Sequence, residues 1–330
     1  MKILIKSIAI ILLFLSLGFT IGCDETSFTV ADDVADAENI LFTGNGRLFF
    51  TGADYLYEYN FATGKAVPVD GAGKGNFLGI AQSGNMLYVV KTSFKFDPQP
   101  IDFQDMLTKG LFGYMSSLIS DLILDKKIIK ADLNQPLLNF ESHHVLYDMF
   151  LPNGMTADTN GNLYLADTNF MGIGKIVRIS STNGLVSQST WLKTGVTCPN
   201  GMSVKNGKIY FTDFDIRYLK ASVKRVDIKY GAASNLQTIY SKTGFFDDLD
   251  AGKFYGKEGC VVADHLDGTI IFLNDSGKVE YKLDKGSFSF PSSVRLGKGV
   301  FENTLLITEK GILYDLYSNI GNKVSGFDLE

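Results

Sequence analysis

Two stretches of the chain repeat one another. Pro152-Asn153-Gly154-Met155 runs into Asp158-Thr-Asn-Gly-Asn-Leu-Tyr-Leu-Ala-Asp167, and Pro199-Asn200-Gly201-Met202 runs into Lys205-Asn-Gly-Lys-Ile-Tyr-Phe-Thr-Asp213. Each copy has a small polar opening, a short strand, a Gly turn and a second strand rich in Tyr, Phe and Leu. A third strand follows in both, over Lys175 to Ile179 and over Ser222 to Asp227. Weaker copies lie on either side. One runs from Asn39 through Thr43 to Phe50, another from Phe77 through Ser83 to Val90, a third from Phe246-Asp247-Asp248 to Asp264, and a last from Pro291 to Thr308. Six openings recur at roughly 45 residues, the length of a four-stranded propeller blade, with one gap stretched by an insertion.

This repeat predicts an all-β fold, a six-bladed β-propeller over residues 38–330. A lone four-stranded blade has two faces to cover, and radial stacking covers both while closing the ring. One segment breaks the strand pattern. Between about 101 and 125, Phe103, Leu107, Leu111, Met115, Leu118 and Leu122 fall at helical spacings of three and four, which predicts an inserted helical segment.

Composition agrees with many short strands. The 330 residues include 34 Gly against 7 Pro, with 15 Tyr and 25 Phe. With 31 basic and 36 acidic residues the net charge is −5, which argues against nucleic acid as a partner. Three cysteines are too few for a disulfide scaffold.

The N-terminus reads as an address. Lys2 and Lys6 flank an apolar run from Ile8 to Leu15, the pattern of a secretory signal peptide over residues 1–22. Gly22-Cys23 closes it in the manner of a bacterial lipobox, with Thr20 where that motif usually has Leu. Cys23 is therefore the expected lipidation site, and residues 23–37 read as a polar tether. The expected location is the bacterial cell envelope, exported and lipid-anchored to a membrane on its periplasmic or outer face. Such a compartment permits a disulfide between Cys198 and Cys260, which spacing alone leaves open.

In a propeller the first strand of each blade lines the central channel, so the six openings converge although they are distant in sequence. In order they present Glu38-Asn39, Leu78, Asn153, Asn200, Asp247-Asp248 and Ser292-Ser293. Two carboxylates and two carboxamides (Glu38, Asp247, Asn153 and Asn200) form an all-oxygen set. That is the donor chemistry of a hard divalent cation, above all Ca2+.

These residues carry a resemblance. The chain resembles the calcium-dependent six-bladed propeller superfamily of regucalcin/gluconolactonase, paraoxonase and strictosidine synthase-like proteins, over roughly residues 38–315. The similarity is strongest from Pro152 to Asp267, and Ala37 to Phe50 looks like the paraoxonase opening. The resemblance implies Glu38, Asn153, Asn200 and Asp247 as calcium ligands, with Asp248 where paraoxonases carry a further ligand. It implies a hydrolase of lactones or related esters, in which the metal polarises the carbonyl and Asp247 or Asp248 assists water. His265, within Ala263-Asp-His-Leu-Asp-Gly268, resembles a channel-lining histidine and becomes an acid–base candidate. The chain departs at the second opening, where Leu78 replaces a paraoxonase histidine. Glu309 lies in the region where strictosidine synthase-like proteins use a glutamate. The alternative reading is a non-catalytic, membrane-anchored propeller that binds a partner or small ligand around a structural calcium.

Overall fold

The computed structural model describes residues 27–94, 123–169, 173–310 and 321–329. The chain opens with strand β1 (Ser27–Ala31). The first blade is β2 (Ile40–Phe42), β3 (Leu48–Thr51), β4 (Leu56–Asn60) and β5 (Lys65–Pro68). The second is β6 (Asn76–Ser83), β7 (Met86–Phe94), β8 (Ile123–Asp132) and β9 (Glu141–Val145). The third is β10 (Leu151–Ala157), β11 (Leu163–Thr168), β12 (Lys175–Thr182) and β13 (Leu185–Leu192). The fourth is β14 (Pro199–Lys205), β15 (Lys208–Asp215), β16 (Lys220–Lys229) and β17 (Ala232–Thr243). The fifth is β18 (Phe246–Phe254), β19 (Lys257–Asp264), β20 (Thr269–Asn274) and β21 (Val279–Lys282). The sixth comprises β22 (Pro291–Leu296), β23 (Thr304–Glu309) and β24 (Lys323–Asp328), completed by β1.

Six antiparallel four-stranded sheets result, and the fold is a six-bladed β-propeller. The first strands β2, β6, β10, β14, β18 and β22 touch one another in a closed circle. Between blades lie six separate apolar clusters, one at each junction. Blades three and four, for example, share Tyr164, Ile176, Met202, Ile209, Phe211 and Val226. The second strand of each blade is covered on both faces, so β11 is buried throughout as Leu-Tyr-Leu-Ala-Asp-Thr, whereas outer β13 alternates between half-buried and exposed. This burial is what makes the ring cooperative: removing any blade strips a face from two neighbours.

One expectation is corrected by the structure. Residues 27–31, read as part of a tether, form the outermost strand of the sixth blade. Phe28 pairs with Gly326 and Thr29 with Ser325, and Val34 and Ala37 behind them are fully buried. A Cβ on Gly326 would overlap the Phe28 ring, so the glycine makes room for the closing strand. N- and C-terminal strands thus share one sheet, which closes the ring by joining the two ends of the chain in one blade. The expected helical segment falls mostly outside the described residues. Its last residues, 123–125, are extended, because β8 and β9 are the third and fourth strands of the second blade and supply part of the stretched gap. The first residues of the chain, including Cys23, also lie outside the described residues. Cys198 and Cys260 are both buried free thiols.

Candidate functional site

The blade openings are shaped by a shared irregularity. Pairing slips by a β-bulge at Phe77/Ile80, Pro152/Met155, Pro199/Met202, Phe246/Leu249 and Pro291/Ser293. A bulge frees the residues it holds from the regular ladder and redirects them, here at the channel end of each inner strand. Pro fits the first position of β14 and β22, where no ladder donor is needed.

Successive openings touch. A Cβ on Gly79 would overlap the Asn153 carbonyl oxygen, one on Gly154 the Asn200 carbonyl oxygen, and one on Gly201 the Asp248 side chain. The Asn-Gly pairs are therefore not turns at these positions. Their glycines allow the backbone of the next blade to approach. Threonines in the second strands complete the ring. Thr212 Oγ1 accepts from Gly201 N at 2.9 Å and donates to Asp247 O at 2.6 Å. Thr308 Oγ1 accepts from Ser293 N at 2.7 Å and donates to Glu38 O at 3.0 Å, joining the sixth blade to the first. Sequence reasoning passed over these threonines, although Phe50-Thr51, Phe211-Thr212 and Ile307-Thr308 repeat the signal.

The following acids hold the loops that lead into the openings. Asp167 accepts from Phe150 N at 2.6 Å, Asp213 from Cys198 N at 2.8 Å, and Glu309 from Ser289 N at 2.7 Å. Glu309, also bonded to Ser325 Oγ, is thereby committed to structure.

A charged cluster occupies the hub. Asn200 Nδ2 donates to Asp247 Oδ1 at 2.6 Å. Asp247 Oδ2 lies 3.4 Å from His265 Nδ1, which is also 3.2 Å from Pro291 O. The His265 ring sits between those of Phe245 and Phe290. Asp248 Oδ2 is bound by Ser293 Oγ and Arg295 Nη1, each at 2.7 Å. Glu38 Oε2 is ion-paired with the ammonium of Lys310, the residue after β23. All three carboxylates are at most 4% exposed.

Burial sets the titration of this cluster. It raises Glu38 against the pull of Lys310, and it pushes Asp247 well above the usual carboxylate range, helped by the charge of Glu38. Burial, with the positive charge of Lys310, brings His265 down to about 3, so its imidazole is neutral near pH 7.

The structure thus brings together Glu38, Asn200, Asp247, Asp248 and His265 of the residues expected from sequence. Asn153 is buried at the matching position of β10, but its side chain is not bonded into this network. Leu78 is the apolar member of the ring, and Ser292 donates to Ala37 O and meets Thr308. Lys310 and Arg295 were not anticipated, because neither side chain supplies an oxygen donor.

The cluster does not fit the expected calcium. Two of its four intended ligands, Glu38 and Asp247, lie in the field of the Lys310 ammonium, and Glu38 is in direct contact with it. Asn200 turns its N–H, and not its carbonyl oxygen, toward Asp247.

Beyond the hub, a cavity of about 230 Å3 lies between the inner strands, bordered by Ile80, Met155, Met202, Ser203, Asp250 and Arg295. Arg295 contacts Asp248 and also borders this cavity.

No family model and no curated protein matches this sequence. Solved structures do match the fold. A gluconolactonase from Xanthomonas campestris superposes with a TM-score of 0.62 at 12% identity, over 92% of this chain and 89% of that one. Regucalcin from Agrobacterium tumefaciens, described as a calcium-binding protein, gives 0.60 at 13% identity over 91% of each chain. A PQQ-bound aldose sugar dehydrogenase from Streptomyces coelicolor gives 0.63 at 12% identity, over 94% of this chain and all of that one. These neighbours establish the propeller and carry different chemistries on it.

Proposed function

We propose that the hub is a hydrolytic site for lactones or related esters, with Asp247 as general base. The observation that carries this reading is the buried Asp247, oriented by Asn200 and lying 3.4 Å from a neutral His265. A carboxylate pushed above its ordinary range is a stronger base than a surface one, which suits it to deprotonate water. Water would add to the carbonyl carbon as its proton passes to Asp247. Collapse of the tetrahedral species breaks the ring C–O bond, and Asp247 returns the proton to the departing oxygen. The Lys310 ammonium offsets the negative charge that develops on the carbonyl oxygen. Asn200 holds Asp247 in place, His265 lies beside it with Nδ1 on Pro291 O, and Asp248 is fixed by Ser293 and Arg295 and braces the opening.

The test is a panel of γ- and δ-lactones and aryl esters assayed with the purified chain and with Asp247→Asn. Turnover lost in the variant supports the reading. A panel without turnover sinks it and leaves the second reading, a small-ligand propeller without catalysis, which the apolar Leu78 in the ring favours. The proposal extends to location. Export through residues 1–22 and a lipid on Cys23 would hold the propeller at the bacterial cell envelope, and Cys23→Ser would release it into the soluble fraction.

A further inference from the structure

The chain brings its own cations to the hub. Three buried carboxylates meet there, and the chain brings two fixed cations to them: Arg295 on Asp248, and Lys310 on Glu38. Lys310 is held in place from two sides, since its backbone N donates to Phe290 O at 3.2 Å and its ammonium is drawn to Asp36, Glu38 and Asp247 together. Its side chain is 16% exposed, so the charge is largely out of water and weakly screened.

We infer that Lys310 takes the place of a divalent cation at this hub, so that the protein carries its positive charge covalently and excludes calcium there. An ion bound to Glu38 and Asp247 would have to share their oxygens with the ammonium, and like charges at contact distance in a poorly screened site repel strongly. The Asn200 amide agrees, since it is arranged as a hydrogen-bond donor to Asp247 and not as an oxygen ligand. A substrate carbonyl or carboxylate reaching this hub would therefore meet N–H donors of a compact ammonium in place of a Lewis acid. The inference concerns ion binding and stands or falls independently of hydrolysis.

The test is calorimetric titration of the purified full chain with CaCl2, alongside thermal melts in chelator and in calcium. Three chains are compared: wild type, Lys310→Met, and the double variant Glu38→Gln/Lys310→Met, which removes both charges and keeps the volumes. The wild type is expected to bind no calcium at the hub and to melt at the same temperature in both media. Lys310→Met is expected to melt lower in chelator and to regain stability on adding calcium, with one ion bound per chain. The double variant is expected to fold and to be insensitive to calcium. Calcium bound by the wild type and lost in Asn200→Ala or Asp247→Asn would overturn the inference. So would a folded Lys310→Met that gains no response to calcium. Should Lys310→Met fail to fold in either medium, the wild-type titration decides, since hub binding there overturns the inference and its absence upholds it.

Discussion

Asn200 and Asp247 lie 47 residues apart and are joined by a 2.6 Å hydrogen bond from Nδ2 to Oδ1, which ties the fourth blade to the fifth at the hub. The separation is one repeat of the sequence. Equivalent positions of neighbouring blades are therefore direct partners around the channel.

Replacing Asn200 by Ala removes the donor and leaves a buried carboxyl oxygen without it. Hydrogen bonds to charged groups contribute about 1.5–3 kcal/mol, so Asn200→Ala should lose about that much in a urea denaturation series. A loss below about 0.5 kcal/mol, the scatter of surface substitutions, would show that the bond does not form.

The glycines of the openings should be far less tolerant than glycines elsewhere. Gly154→Ala places a methyl group on the Asn200 carbonyl oxygen, whereas Gly44→Ala meets nothing closer than Gln82 Nε2 at 3.6 Å. Overpacking costs about 1–3 kcal/mol, so Gly154→Ala should destabilise by at least that much while Gly44→Ala stays within about 0.5 kcal/mol. Equal effects in a denaturant series would refute the close approach of the blades.

The closing strand makes a prediction about truncation. A chain beginning at Ser27 keeps β1 whole, and one beginning at Asp32 leaves β24 with a bare edge. The shorter chain should lose cooperative melting and aggregate on warming, and the longer one should melt like the full chain. Indistinguishable melting curves would mean that residues 27–31 add nothing to the ring.

His265 makes a prediction about pH. Its pKa is about 3 in the folded protein against 6.5 ordinarily, so between these values the unfolded chain binds a proton that the folded one refuses. Its contribution to stability is intact above pH 6.5 and is lost as pH falls toward 3, by about 1.4 kcal/mol per pH unit within that window. Glu38 and Asp247 act in the opposite sense, because their raised folded values favour acid and that benefit is lost as pH rises through them. Comparing wild type with His265→Gln isolates the histidine: their difference in stability should shrink steadily below pH 6.5, and a constant difference would contradict the assignment.

Much of the site could be read from the repeat because propeller blades are copies. Aligning the Pro-Asn-Gly openings at 153 and 200 with the acids at 247 and 248 was enough to bring Asn200, Asp247 and Asp248 to one place, and Glu38 followed from the first copy. What the alignment missed is equally specific. Lys310 lies outside every copied motif and reaches Glu38 because it follows the second strand of the sixth blade, next to the opening of the first. β1 resembles no blade, since its partner β24 lies nearly 300 residues away in sequence and supplies most of its burial. The β-bulges coincide with the Pro-Asn-Gly-Met openings, but that they slip the register there is seen only in the strand pairing.

Periodicity and alternation therefore fixed the number of blades, the order of their strands and the residues at their channel ends, since those are local properties repeated along the chain. The identity of the hub's cation and the closure of the ring depend on side chains from remote positions meeting in space. A lysine placed among acids becomes a substitute for a metal ion only through distance and burial, and neither is written in the spacing of the sequence.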